Sequence, residues 1–218
     1  MTGVASSSLS TGWHHVAATF INGSVASSLL WIDGVQQTTA KAGSGNPSGT
    51  AVASAAAMVG GSALATTKFY AGRLDEVRFY TGQFVTADVT ASMASSHSCA
   101  AAPGAATLLA YYKFEEATTY TGAAGQVLDS SGNNRHGTAI GTSYPTTSTT
   151  APARAGSTGT CGYASFDGPT VLGAAMQFTG LPVSTVAGRR RASASGCIGT
   201  ASKLPRSASP PGTSMPWA

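Results

Sequence analysis

Apolar and polar positions alternate along residues 13–20, WHHVAATF. His14, Val16, Ala18 and Phe20 share one face, and Trp13, His15, Ala17 and Thr19 share the other. Side chains alternate along a strand, so both faces are partly apolar. That predicts a strand within a two-layer sandwich rather than an edge ribbon. After the polar, Gly-containing stretch INGSVASS, residues 29–35 (LLWIDGV) alternate again, with Leu30 and Ile32 opposed to Trp31 and Asp33. The two runs read as a β-hairpin, and Asp33-Gly34 reads as a second, tight turn. A further strand is predicted over 69–80, FYAGRLDEVRFY, with Val77 and Phe79 on one face and Glu76, Arg78 and Tyr80 on the other. A short helix follows at 86–95, with Thr86 as its N-cap and Val89 and Met93 on one side. The pattern resumes with a strand at 108–116 (LLAYYKFEE), a turn-rich stretch at 127–137 (VLDSSGNNRHG) and a short strand and turn at 165–168 (SFDG).

The order WHHVAATF, LLWIDGV, MVGGS, FYAGRLDEVRFY resembles the second half of a LamG-like domain, the concanavalin A-like lectin/glucanase jelly roll. The later order LLAYYKFEE, DSSGNNRHG, SFDG resembles the first half of the same domain. The resemblance implies an all-β jelly-roll β-sandwich, incomplete and circularly permuted, with a disordered C-terminal tail. It divides the chain into 1–95, the C-terminal part of one unit; 96–106, a Pro/Gly/Ala linker; 107–186, the N-terminal part of the next; and 187–218, a basic low-complexity tail. That tail reads as either genuine or the product of a shifted reading frame. Antiparallel pairing between 108–114 and 72–80 would let the halves share one sheet, with an open edge or exposed apolar patch where central strands are missing. CGYASFDG beside these repeats also resembles MSHA pilus biogenesis (MshQ-type) proteins, which implies adhesion or surface assembly.

Composition narrows the function classes. Only 9% of the 218 residues are charged. Low charge with alternating apolar runs predicts a β-rich exported protein rather than a disordered one. The net charge of +4 comes from residues 187–218, which hold five basic and no acidic residues. The remainder is balanced, with no basic patch interleaved with aromatics, so nucleic-acid binding is not expected. No apolar run of about 18 residues predicts a membrane-spanning segment. MTGVASSSLSTG has neither the basic nor the apolar region of a signal peptide, so the chain reads as a fragment or internal start of a longer extracellular or cell-surface protein.

No catalytic constellation emerges, and no enzyme is expected. His14-His15 and Glu115-Glu116 are adjacent on strands and point to opposite faces, which rules out a shared ion or an acid/base pair on one face. The related glucanases carry E-x-D-x-x-E on one strand; LDEVRF lacks the second Glu, so paired-carboxylate hydrolysis is unsupported. Glu76 and Arg78 read as a solvated pair. Trp31 and Tyr80 are the outward aromatics suited to stacking on a sugar ring; the alternative is ordinary inter-sheet packing. Asp129, Asn133 and Asn134, with Asp75 or Asp167, form an oxygen-rich set that calcium, the one cofactor considered, would take; the alternative is that Asp129 caps its own turn. Cys99 and Cys161 are candidates for a disulfide in an exported protein, with Cys197 left over. The expected role is a non-catalytic binding or adhesion module for a glycan or cell-surface protein. A structural spacer and an accessory domain of a secreted glycosidase are the alternatives.

Overall fold

The computed structural model describes residues 2–3, 9–21, 24, 27–41, 56–61, 69–94, 106–116, 119–149, 162–168, 173–181 and 190–200. The strands of the first part are β1 (Thr2–Gly3), β2 (Trp13–Ile21), β3 (Leu29–Ile32), β4 (Val35–Gln36), β5 (Ala40–Lys41), β6 (Ala57–Val59), β7 (Ala71–Leu74) and β8 (Val77–Thr81). The helix α1 (Thr86–Ala94) comes next. Then follow β9 (Thr107–Tyr112), β10 (Gly137–Ile140), β11 (Thr146–Ser148), β12 (Tyr163–Asp167), β13 (Ala175–Phe178) and β14 (Arg190–Thr200). Residues 96–105 of the predicted linker and the tail beyond 200 lie outside the described residues.

The hairpin forms as its pattern predicts. β2 and β3 pair antiparallel from Val16↔Ile32 to Thr19↔Leu29. Asp33 and Gly34 take φ of 50° and 80° and turn β3 into β4. Two positive φ values are what a two-residue primed turn demands, and Asp-Gly supplies them at little cost. The strand predicted over 69–80 is instead two. Asp75-Glu76 interrupts it, with Glu76 at φ 57°. Because the backbone rotates there, β7 and β8 take different partners on one side: β12 pairs with β7, and β9 pairs with β8.

Both halves of the chain therefore share ladders. β9 runs antiparallel to β8 from Val77↔Tyr112 to Thr81↔Thr107, and β13 lies between β10 and β6. Among the described residues, nine strands form a large sheet whose main path is β11-β12-β7-β14-β2-β3-β4. A smaller, three-stranded sheet is β10-β13-β6, and β1 and β5 pair separately as a two-stranded sheet. Leu74, Val77, Tyr112 and Phe166 of the large sheet meet Ala139, Met176 and Phe178 of the small one in a single core. The fold is an all-β, concanavalin A-like sandwich. The helix covers the other face of the large sheet, over a second cluster of Ala17, Trp31, Tyr80, Phe84 and Val89.

Arg190–Thr200 corrects the expectation of a disordered tail from 187 onward. It forms an eleven-residue strand inside the large sheet. Its backbone pairs with β2 on one side and with β8 and β7 on the other. A run of Ala, Ser and Gly looks unable to bury a core. A central strand, however, satisfies its N–H and C=O groups from two neighbours and draws its stability from the ladder. Beyond the small sheet's cover the large sheet carries half-buried Val16, Ala18, Leu30 and Ile32, and Phe20 and Val35 are exposed. This is an apolar strip of the kind expected where central strands are missing.

Candidate functional site

The register of the large sheet brings distant residues into one row on its helix-bearing face. Trp13 of β2 stands opposite Gly199 of β14, Gly199 opposite Arg73 of β7, and Arg73 opposite Ser165 of β12. Glycine offers no side chain between Trp13 and Arg73. Tyr163, two residues before Ser165, shares its face. The Trp13 and Tyr163 rings meet edge to face, with centroids 5.4 Å apart and planes at 61°. The Arg73 guanidinium carbon stands 5.1 Å from the Tyr163 centroid, within cation–π range. Arg73 is exposed, and both rings are partly exposed. The Tyr70 hydroxyl donates to the Arg73 carbonyl at 3.3 Å and fixes the start of β7. The result is a surface platform of two aromatic rings and one fixed cation.

The aromatics expected to face outward do not. Trp31 and Tyr80 are each 1% exposed, which corrects their assignment as sugar-stacking residues. The alternation placed them on the right face, but the helix covers that part of it. Trp31 Nε1 donates to Thr86 Oγ1 at 3.2 Å, and Tyr80 packs on Phe84 with centroids 4.8 Å apart. The Thr86 hydroxyl is thus drawn to Trp31. The helix N-terminus is closed instead by Val85, whose carbonyl accepts from Asp88 and Val89 and whose N–H donates to Asp88 Oδ2 at 2.8 Å.

Glu76 and Arg78 are not solvated either. Both are buried under the helix as an ion pair. The Tyr111 hydroxyl donates to the same Glu76 oxygen, and Arg78 donates to Tyr111 at 3.3 Å and to Ser92 of the helix at 3.5 Å. Burial lifts the Tyr111 phenol well above its ordinary range; Arg78 opposes the shift and Glu76 reinforces it. Closed to solvent, this network joins β8, β9 and the helix. His14 and His15 are likewise both buried. His14 Nδ1 donates to Asp33 Oδ2 at 2.7 Å, and the His15 N–H donates to Asp33 Oδ1 at 3.0 Å, clamping the turn to β2.

The oxygen-rich loop is self-satisfied, with Asp129 capping its own turn. The Asp129 carboxylate accepts the N–H groups of Tyr111, Ser131 and Arg135 and the Ser131 hydroxyl, each at 2.9 Å. Asn133 donates its amide to the Leu109 carbonyl at 3.1 Å, and Asn134 takes φ 54° in the turn. Asp75 is fully buried at the β7–β8 break. Among the described residues no group of three or more His, Cys, Asp or Glu side chains is placed to hold a metal ion. Glu116 braces a loop, accepting the Leu128 N–H and the Tyr120 hydroxyl, each at 2.7 Å. Cys99 and Cys161 lie outside the described residues.

Asp129 gives the fold an acid-sensitive catch. Burial alone would raise its pKa, but the N–H groups of Arg135, Ser131 and Tyr111 and the Ser131 hydroxyl outweigh it and hold the carboxyl below its ordinary 3.8. A depressed folded pKa stabilises above the unfolded value and is lost as pH falls through the folded one. Asp129→Asn is expected to cost about 1–3 kcal/mol at neutral pH. It should also flatten the loss of stability below about pH 4. Urea midpoints at neutral and acidic pH check both; an unchanged acid slope in the variant would refute this role for Asp129.

Residues 2–90 match the family model of the concanavalin A-like lectin/glucanases superfamily. No curated protein and no solved structure matches the chain. The concanavalin A-like match ends inside the helix, so Trp13 and Arg73 lie within it and Tyr163 lies beyond it. A domain of this kind points to a carbohydrate- or protein-binding module. None of the comparisons supports the pilus-biogenesis resemblance. Sequence reasoning missed the platform because β7–β12 pairing is non-local. The one available signal was the placing of Trp13 on the face shared by His15 and Ala17.

Proposed function

We propose that the chain is a non-catalytic, extracellular carbohydrate-binding module that takes a sugar ring on the Trp13–Tyr163–Arg73 platform. The observation that carries this reading is the pairing of two partly exposed aromatic rings on a sheet face. A pyranose presents a C–H face that an aromatic ring covers, while its hydroxyls reach polar groups at the rim. Strands hold both rings, so little side-chain order has to be gained on binding. The match of residues 2–90 to the lectin/glucanases superfamily agrees with this reading. The buried networks, by contrast, are inaccessible to a ligand.

A glycan array should return at least one polysaccharide class. Trp13→Ala is expected to weaken that binding about tenfold or more, as the loss of one well-covered aromatic contact implies. Melting temperatures of the variant and the parent separate lost binding from lost fold. Retention of full affinity by both Trp13→Ala and Tyr163→Ala would move the ligand elsewhere. An array with no binding would favour the spacer role.

A further inference from the structure

We infer that the platform prefers an acidic sugar, one carrying a carboxylate or sulfate, with Arg73 as the group that reads the charge; this rests on the carbohydrate-binding reading above. Among the described residues no carboxylate pairs with Arg73, although it is exposed and fixed in place. Its contact with the Tyr163 ring holds a cation without neutralising it. The outer-face carboxylate further along β12, Asp167, is engaged elsewhere. It accepts the Ser143 hydroxyl at 2.6 Å and the Ala174 N–H at 3.3 Å. Guanidinium stays charged and presents N–H donors in a planar fork that matches an oxyanion. A sugar lying against one of the two rings would place its substituents beside that fork, because Arg73 stands over the Tyr163 ring and Gly199 puts no side chain between Trp13 and Arg73. A neutral sugar would leave the charge unanswered.

The test titrates the full chain with polygalacturonate and its methyl-esterified form, and with dextran sulfate and dextran, in moderate salt. The expected result is binding at least about tenfold tighter to one or both acidic polymers than to the neutral counterpart. Whichever pair shows the preference identifies carboxylate or sulfate as the anion. Arg73→Gln should abolish the preference, and Arg73→Lys, which keeps the charge but not the fork, should restore only part of it. Trp13→Ala should weaken binding to every polymer. Equal affinity for acidic and neutral polymers, lost in Trp13→Ala, would overturn the acidic preference and leave the carbohydrate-binding reading standing. Acidic binding indifferent to Arg73→Gln, or lost there but untouched by Trp13→Ala, overturns it too. No binding to any of the four polymers overturns the preference, and an empty glycan array would then take the broader reading with it.

Discussion

Glu76→Gln is expected to lower the unfolding free energy by about 3–5 kcal/mol, the cost of breaking a buried ion pair on one side. Arg78 is buried beneath the helix, and the guanidinium cannot shed its proton to escape the loss. The Tyr111 hydroxyl would lose its anionic acceptor at the same time. Gln is near in size and keeps the backbone demand at φ 57° the same, so the comparison isolates charge. The double variant Glu76→Gln/Arg78→Met should recover much of the loss, since the stranded charge is then gone. Urea unfolding of parent, single and double variants measures this directly. A single variant within about 1 kcal/mol of the parent, with unchanged m-value, would show that the pair is far more hydrated than its burial implies.

That ion pair also shows what the sequence reveals and what it hides. Alternation assigned Val77 and Phe79 to one face and Glu76, Arg78 and Tyr80 to the other. The structure keeps both sets, with Val77 and Phe79 in the inter-sheet core. The error was to equate the second face with solvent. Period two tells which residues share a face; it does not tell what packs on that face. The helix does so here, and its own weak amphipathicity gave no hint of how much it would cover. Local turn chemistry was more legible. Asp33-Gly34 turns where its residue types say it should, and the DSSGNN loop closes on Asp129 as an Asx turn does. Non-local register was illegible. Nothing in the spacing of Trp13, Arg73 and Tyr163 foretells that β7, β12, β14 and β2 align to put them in one patch. Arg190–Thr200 was misread for a related reason: composition reports the capacity to bury side chains, whereas a central strand is held by its two ladders.

Phe178→Ala is expected to cost about 3–5 kcal/mol and to unfold both halves of the chain together. The Phe178 ring stacks on Tyr112 at 4.0 Å and 27° and approaches Phe79 at 6.3 Å. Those partners sit on β9 and β8, in different halves of the chain, so this ring closes the core between them. Its own strand β13 pairs on one side with β10 and on the other with β6, which again come from different halves. Collapse of the site is restricted, because Gly137 already lies flush against the ring and β10 cannot close further without bending. Two independent half-domains would respond differently from one sandwich. Hydrogen exchange in the variant should then rise only in β9, β10 and β13, while the β2–β3 hairpin keeps its protection. In one cooperative sandwich, protection falls by the same free energy in β2, β8, β9 and β13, because each opens only with global unfolding. The shared ladders β8–β9 and β7–β12 make the second outcome the expected one. They leave no boundary at which the sheet could part without breaking hydrogen bonds on both sides of it.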